Sequence, residues 1–124
     1  METNTFFFDT YAFFEMIRGN ENYKKYSTNI AIVTTKLNLM ELYYGLLIKH
    51  GKEVAEKYYD SLLPFAVKLE DDVIKNAMEF KAKNRGKNFS YVDCIGYAIS
   101  VAGGIKLLTG DRQFEKLLNV EFVK

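Results

Sequence analysis

Four of the 16 acidic residues stand where a carboxylate can take part in chemistry. Asp9 and Asp111 each follow a short apolar run, whereas Glu41 and Asp93 fall inside predominantly apolar helical patterns. A set of oxygen ligands of this kind suits Mg²⁺ or Mn²⁺, which typically keep waters and bind substrate phosphates. Such a metal can orient or deprotonate a water molecule and stabilise the charge that develops on phosphorus. The pattern therefore points to a carboxylate metal site.

Each of these acids also has a purely structural explanation. Asp9 is placed to cap the following helix, and Asp111 is placed to cap a turn over residues 112–117. Ser90-x-x-Asp93 matches a capping-box pattern with aspartate in the glutamate position. Four such acids together, two at strand ends and two on flanking helices, make a stronger case for a site. If they cluster, each raises the pKa of the others unless a cation neutralises them.

Glu41 is set within an apolar stripe. Leu37, Met40, Tyr44 and Ile48 recur at helical spacing, and Glu41 falls between them. The structural alternative is a carboxylate at the edge of the stripe that reaches solvent. The position favours a functional acid modestly.

The sequence offers no other catalytic group. It has no glycine-rich phosphate loop and no Ser/His/Asp set, and its one histidine, His50, ends a helix. Its one cysteine, Cys94, lies in an apolar helical pattern, where a free cysteine is usually inert packing. A single cysteine excludes a disulfide framework and a multi-cysteine zinc site within one chain, and it fits a reducing cytoplasm.

Length and charge bound the remaining possibilities. We expect one domain from the 124 residues, and a net charge of +1 favours no particular partner. No stretch approaches the roughly 20 apolar residues that a membrane span needs. We therefore expect a cytoplasmic protein without a membrane partner.

The elements that must position the acids alternate between strands and helices. Strands are predicted at residues 5–8, 30–33, 65–69 and 105–108, with a last edge strand at 120–123. Helices are predicted at residues 10–18, 21–26, 35–50, 52–63 and 70–84, followed by a buried helix that Ser90 opens and Gly103-Gly104 ends. Such alternation predicts a parallel sheet covered on both faces, with ligands beyond the carboxyl ends of the strands.

Four sequence blocks carry a family resemblance. They are Phe6-Phe7-Phe8-Asp9-Thr10, Glu41 within LNLMELYYGL, Ser90-Tyr91-Val92-Asp93, and LLTGDRQF at residues 107–114. Over essentially its whole length, the chain resembles the PIN-domain ribonucleases. Within that family it is most similar to the toxin subunits of VapBC-type toxin–antitoxin pairs.

The resemblance implies a three-layer α/β fold with a central, mostly parallel four- to five-stranded sheet flanked by helices. The first strand would be central, which would bring Asp9 beside Asp111. The implied activity is Mg²⁺- or Mn²⁺-dependent endoribonuclease cleavage of single-stranded RNA. Its acidic site would be Asp9, Glu41, Asp93 and Asp111, with supporting hydroxyls from Thr10 and Thr109. A homodimer and a cognate antitoxin are the implied protein partners.

The tyrosine pairs 43–44 and 58–59 support a homodimer, because both members of a pair cannot point inward from one helix. Basic residues near the acids are candidate RNA-phosphate contacts without base specificity: Lys36, Arg85, Lys87 and Arg112. The alternative for these cations is a solvated helix end and loop.

Three other functions stay open at this point. A PIN nuclease can serve the cell without any antitoxin. A phosphoacceptor receiver domain has similar length and an acidic magnesium pocket, but it would want paired acids after strand one, where this chain has only Asp9. A catalytically inactive binding module is the third.

Overall fold

The protein is built on a four-stranded parallel sheet, here described from a computed structural model of residues 4–124. Its strands are β1 (Asn4–Phe8), β2 (Ile30–Val33), β3 (Lys106–Thr109) and β4 (Val120–Phe122). The order across the sheet is β2-β1-β3-β4, so β1 is an interior strand. Five α-helices connect the strands: α1 (Thr10–Arg18), α2 (Lys36–His50), α3 (Lys52–Leu62), α4 (Asp71–Lys83) and α5 (Tyr91–Gly103). Short 3₁₀ helices occupy Glu21–Tyr26, Leu63–Phe65 and Arg112–Phe114.

The register of β1 against β3 sets the position of the acids. Phe8 pairs with Leu108, and the Asp9 amide donates to the Leu108 carbonyl at 3.4 Å. Asp9 therefore leaves the sheet at the level where β3 ends, two residues before Asp111. The interior position of β1, and the juxtaposition of Asp9 and Asp111 that it implies, are confirmed.

Two apolar clusters cover the two faces of the sheet. Alternation along β1 sends Phe6 and Phe8 into a cluster with α1 and α2, while Phe7 enters a cluster with α5 and β3. A β-carbon on Gly96 would lie 2.7 Å from the Phe7 ring, so glycine lets α5 lie close against β1. These helices on both faces confirm the three-layer α/β fold.

The strand predicted at residues 65–69 is wrong. Phe65 belongs to a 3₁₀ helix that contains Pro64, and Ala66 makes a single parallel bridge to Thr34. Two backbone hydrogen bonds join the segment to Thr34, from Thr34 N to the Phe65 carbonyl and from Val67 N to the Thr34 carbonyl. The segment lies outside β2 with Phe65 and Val67 each 40% exposed, so its apolar run is not a buried strand.

The helix that opens at Ser90 is buried through its middle, residues 94–100, and the prediction that it is buried nearly all round is wrong at its two ends. Cys94 and Ala98 lie in the core, but Val101 is 53% exposed instead of filling the second face. None of the helices within residues 4–124 is long and apolar enough to cross a membrane.

Candidate active site

Three of the four acids are helix caps. The Ala12 amide donates to Asp9 Oδ1 at 2.9 Å, and the Gln113 amide donates to Asp111 Oδ1 at 3.0 Å. Ser90 and Asp93 form a full capping box: Ser90 N donates to Asp93 Oδ2 at 2.9 Å and Asp93 N donates to Ser90 Oγ at 3.0 Å. The structural interpretation of these residues is therefore correct. Because each backbone bond engages one carboxylate oxygen, capping leaves the second oxygen for other contacts.

The same carboxylates act on one another electrostatically. Burial raises the pKa of Asp9 from 3.8 to about 7, against hydrogen bonds from the Thr109 hydroxyl and the Ala12 amide. The charges of Asp93 and Asp111 also raise the pKa of Asp9, by less than burial does, and the value of about 7 includes them. Asp9 and Asp111 follow the carboxyl ends of the neighbouring strands β1 and β3, and Asp93 on α5 is close enough to act on both by charge.

Asp93 and Glu41 belong to the same electrostatic group. Burial raises the pKa of Asp93, the hydrogen bonds from Ser90 lower it, and the charge of Asp111 raises it again. Burial also raises the pKa of Glu41, which a hydrogen bond from Thr10 lowers and the charge of Asp93 raises. Of the four predicted acids, none is left outside this group.

Among residues 4–124, no arginine or lysine forms a salt bridge with this acidic group. The two salt bridges found among residues 4–124 are Arg18–Glu15 and Arg112–Glu115, and neither involves the four acids. The charge of Lys81 lowers the pKa of Asp93, but this effect is smaller than that of Asp111. A buried carboxylate beside two others is costly unless a cation compensates it.

The acids are near one another without forming a closed metal cage. Within residues 4–124, no three Asp, Glu, His or Cys side chains already stand together as a metal-binding group. The donor set nevertheless fits Mg²⁺ or Mn²⁺, because it consists only of carboxylate oxygens and retains uncompensated negative charge. Residues that would hold such an ion are Asp9, Glu41, Asp93 and Asp111.

A buried polar chain holds Glu41, and it contains a residue that sequence reasoning missed. Thr35 Oγ1 donates to Asn38 Oδ1 at 2.6 Å, and Asn38 Nδ2 donates to Thr10 Oγ1 at 3.2 Å. Thr10 Oγ1 then donates to Glu41 Oε1 at 2.7 Å. Asn38 is 2% exposed, so this amide is committed to the chain. The signal in the sequence is that Asn38 is polar and lies one helical turn before Glu41, beside Leu39 and Leu42.

The two predicted supporting hydroxyls both contact the acidic group. Thr10 bonds to Glu41, and the Thr109 hydroxyl bonds to Asp9 while accepting from the Asp111 amide at 3.1 Å. A β-carbon on Gly110 would lie 2.4 Å from both the Tyr11 ring and the Val123 carbonyl oxygen. Glycine at this position therefore lets the Tyr11 ring and the Val123 carbonyl pack against the backbone next to Asp111.

The apolar stripe around Glu41 faces outward except at Leu37, which packs against the apolar cluster of α5 and β3. Met40, Tyr44 and Ile48 are 55%, 67% and 69% exposed, whereas the buried residues of α2 are Asn38, Leu39, Leu42 and Leu46. Glu41 is half-buried between the two faces. It lies at the stripe edge, as the structural alternative held, and from there it interacts with Asp93 by charge.

The candidate RNA-binding cations are all exposed. Lys36 opens α2, Arg112 directly follows Asp111, and Arg85 and Lys87 lie in the loop before α5. Arg112 Nη1 lies 3.8 Å from Glu115, an ion pair at the surface.

The model of the PIN domain family matches residues 6–118 of the chain. The chain belongs to the PIN domain family. This membership decides against the receiver-domain interpretation. Among curated protein sequences, none is significantly similar to the chain.

Solved structures share this fold of the PIN domain at low sequence identity. VapC20 from Mycobacterium tuberculosis, a sarcin–ricin loop cleaving toxin, has a TM-score of 0.80 at 19% identity, over 96% of this chain and 99% of that one. A toxin–antitoxin complex from Klebsiella pneumoniae has a TM-score of 0.73 at 15% identity, covering 94% and 95%. DNA-bound VapBC from Salmonella typhimurium has a TM-score of 0.72 at 16% identity, covering 96% of each chain.

Proposed function

We propose that this PIN domain is a metal-dependent endoribonuclease that cleaves single-stranded RNA. Its active site would consist of Asp9, Glu41, Asp93 and Asp111. The observation that carries the proposal is the uncompensated acidic group: burial raises the pKa values of Asp9, Glu41 and Asp93, and the charge of at least one neighbouring carboxylate raises each of them as well. None of the four acids forms a salt bridge among the described residues. The negative charge of the group indicates the kind of ligand, because a divalent cation would neutralise clustered carboxylates.

The chain's own residues supply binding and orientation. When bound, Mg²⁺ or Mn²⁺ lowers the pKa of a water and stabilises negative charge on the phosphate. The four carboxylates would hold that ion. Thr109 and the Ala12 amide keep Asp9 in place, and Thr10 keeps Glu41 in place. The exposed cations Lys36, Arg85, Lys87 and Arg112 would contact the RNA phosphates.

Direct attack of water on phosphorus fixes the products, because no side-chain nucleophile and no 2′-hydroxyl takes part. We expect 5′-phosphate and 3′-hydroxyl ends on a single-stranded RNA oligonucleotide in Mg²⁺ or Mn²⁺, and no cleavage in EDTA. Asp9→Asn and Asp111→Asn should each lower the cleavage rate by at least about 100-fold, the scale of losing one preorganised electrostatic group. End-labelled fragments separated by electrophoresis measure both results, and Asp71→Asn is a control that replaces an exposed helix aspartate.

A substrate with a 2′-deoxy sugar at the cut site should still be cleaved. Products ending in a 2′,3′-cyclic phosphate, or activity that EDTA leaves intact, would refute the mechanism. Absence of cleavage with every RNA tested, together with no effect of Mn²⁺ on the protein, would favour the inactive binding module instead.

We further propose that this nuclease acts in the cytoplasm as the toxin of a toxin–antitoxin pair. The support is the similarity of its fold to VapC20 and to the VapBC complexes, which are such toxins and assemblies. Co-expression with the adjacent upstream reading frame tests this proposal. A cognate antitoxin should co-purify and suppress cleavage, whereas a product that does neither favours a cellular PIN nuclease.

A further inference from the structure

An exposed aromatic ring shares a neighbour with the acidic group: Lys81, which lies over the Tyr91 ring, also lowers the pKa of Asp93 by its charge. Tyr91 is the first residue of α5, two positions before Asp93, and it is 66% exposed. The capping box between Ser90 and Asp93 fixes the backbone on both sides of Tyr91. The ring therefore has a defined place at the N-terminal end of α5, the helix that carries Asp93, and it is not part of either core cluster.

A lysine from α4 occupies one side of this ring. Lys81 Nζ lies 4.9 Å from the centroid of the Tyr91 ring and donates to the Phe89 carbonyl at 2.6 Å. Lys81 is half-buried, so the ammonium is anchored and does not sweep freely through solvent. A cation over one face of an aromatic ring leaves the opposite face open to a flat partner.

The chain around this pair carries only positive charge. From Phe80 to Val92 the sequence contains four cations and no acid: Lys81, Lys83, Arg85 and Lys87. None of these cations joins either salt bridge found among residues 4–124. A basic segment next to an exposed aromatic ring is the combination by which proteins bind single-stranded nucleic acid.

We propose that Tyr91, backed by Lys81, is a stacking platform for one unpaired base of the substrate. The proposal rests on the nuclease function above and specifies how its site holds a single strand. A nucleotide whose phosphate reaches the acidic group would place a neighbouring base on the open face of Tyr91. The basic segment would then contact the adjoining phosphates. Stacking on an aromatic face tolerates any base, so this platform selects unpaired bases without reading their sequence.

The test measures RNA binding without cleavage. The full chain in EDTA is titrated against a fluorescently labelled single-stranded RNA of about a dozen nucleotides, with binding followed by anisotropy. Tyr91→Ala and Tyr91→Leu should each weaken binding about 5- to 100-fold, the loss of one base–aromatic stack, while Tyr91→Phe should bind like the wild type. Lys81→Met should weaken binding about 2- to 10-fold. Lys75→Met, which removes an exposed cation from the same helix, is the matched control and should have the smaller effect.

Abasic oligonucleotides separate stacking from general loss of contact. A series of RNAs carries one abasic site each, at successive positions. On the RNA that lacks the base stacked on Tyr91, Tyr91→Ala should not weaken binding any further. An equal loss from Tyr91→Ala on all abasic RNAs, or binding by Tyr91→Ala within about twofold of wild type, would overturn the platform. Thermal melts of each variant check that the fold is kept, and Tyr91→Phe against Tyr91→Leu decides the question if Tyr91→Ala is unstable.

Cleavage by the wild type in Mn²⁺ is measured in parallel. If the wild type cleaves RNA and the Tyr91 variants bind RNA as tightly as the wild type, the platform is overturned and the nuclease proposal stands. A wild type that neither binds nor cleaves single-stranded RNA would overturn both.

Discussion

A carboxylate that caps a helix accepts the capping hydrogen bond with one oxygen and keeps the other available for further contacts. In this chain, three of the four clustered acids are such caps. Asp9, Asp93 and Asp111 each accept a backbone N–H bond within three residues. Those bonds depend only on local sequence, which is why the caps could be predicted. Mutual repulsion between the acids depends on the sheet, because the pairing of β1 with β3 brings residues that are distant in sequence close together.

At the residue scale, Asp9 predicts how stability depends on pH in the metal-free protein. Its pKa of about 7 in the fold exceeds the ordinary 3.8, so the folded chain keeps a proton that the unfolded chain has released between those values. The free energy of unfolding should therefore fall as pH rises from about 4 to 7 and then level. Asp9→Asn removes this contribution while keeping most of the cap.

Urea denaturation in EDTA at pH 5 and pH 8 measures the effect. The stability of Asp9→Asn relative to wild type should increase by about 1–3 kcal/mol from the lower to the higher pH. Asp71→Asn, at an exposed helix start, should track the wild type at both pH values. Parallel behaviour of Asp9→Asn and wild type would mean that Asp9 is not protonated in the fold.

At the element scale, local sequence signals predict most helix and strand boundaries. They fail where the structure of a segment depends on the element that packs against it. Thr10–Arg18 and Ile30–Val33 were predicted as observed, because caps, glycine and an apolar run mark them. The segment 65–69 is as apolar as a strand, yet only Thr34 is available to pair with it. For α2, two apolar stripes compete, and only its packing against α1 and α3 shows which one is buried.

The hydrogen-bond chain joining α1 and α2 makes a prediction at this scale. Thr10→Val removes the donor to Glu41, and Asn38→Leu removes the group that orients Thr10. Each should lower the cleavage rate about 10- to 100-fold, since a hydrogen bond to a charged group contributes about 1.5–3 kcal/mol. Because both act through one contact to Glu41, the double variant should lose little more than either single variant.

Single-turnover cleavage assays provide the comparison. Thr28→Val is the matched control, since Thr28 is exposed. Full activity in Thr10→Val, or losses that multiply in the double variant, would show that the chain does not hold Glu41.

At the scale of the whole molecule, the outward-facing part of the α2 stripe, with Leu47 beside it, leaves apolar surface exposed. Met40, Tyr44, Leu47 and Ile48 are between 39% and 69% exposed, on one helix of a chain with net charge +1. Of the tyrosines that favoured a homodimer, Tyr44 is exposed, while the Tyr43 ring packs edge-on against that of Tyr59, with 5.8 Å between centroids. The expectation that one member of the second pair points outward is wrong, because Tyr58 and Tyr59 are both half-buried against the apolar cluster of α1 and α2. Contiguous exposed apolar surface of this kind marks an interface.

We propose that this stripe forms a homodimer, and light scattering tests it. Wild type at high micromolar concentration should have the mass of a dimer. Ile48→Glu places a charge in the stripe and should give a monomer, since burying an unpaired charge is unfavourable. Lys75→Glu, a charge reversal on α4, should remain dimeric. A monomeric wild type would contradict the proposal.

The account depends most on the four carboxylates forming one shared metal site, and thermal melts with and without Mn²⁺ test that claim most directly. Five proteins are compared: wild type, Asp9→Asn, Glu41→Gln, Asp93→Asn and Asp111→Asn. At a hundredfold excess over its Kd, Mn²⁺ should stabilise wild type by about 2.7 kcal/mol, a rise in Tm of several degrees. The rise should be small or absent in each variant, and without metal the variants should melt at or above the wild-type Tm because repulsion is relieved. An equal Mn²⁺ shift in all five proteins would show that the carboxylates are four separate caps and share no site.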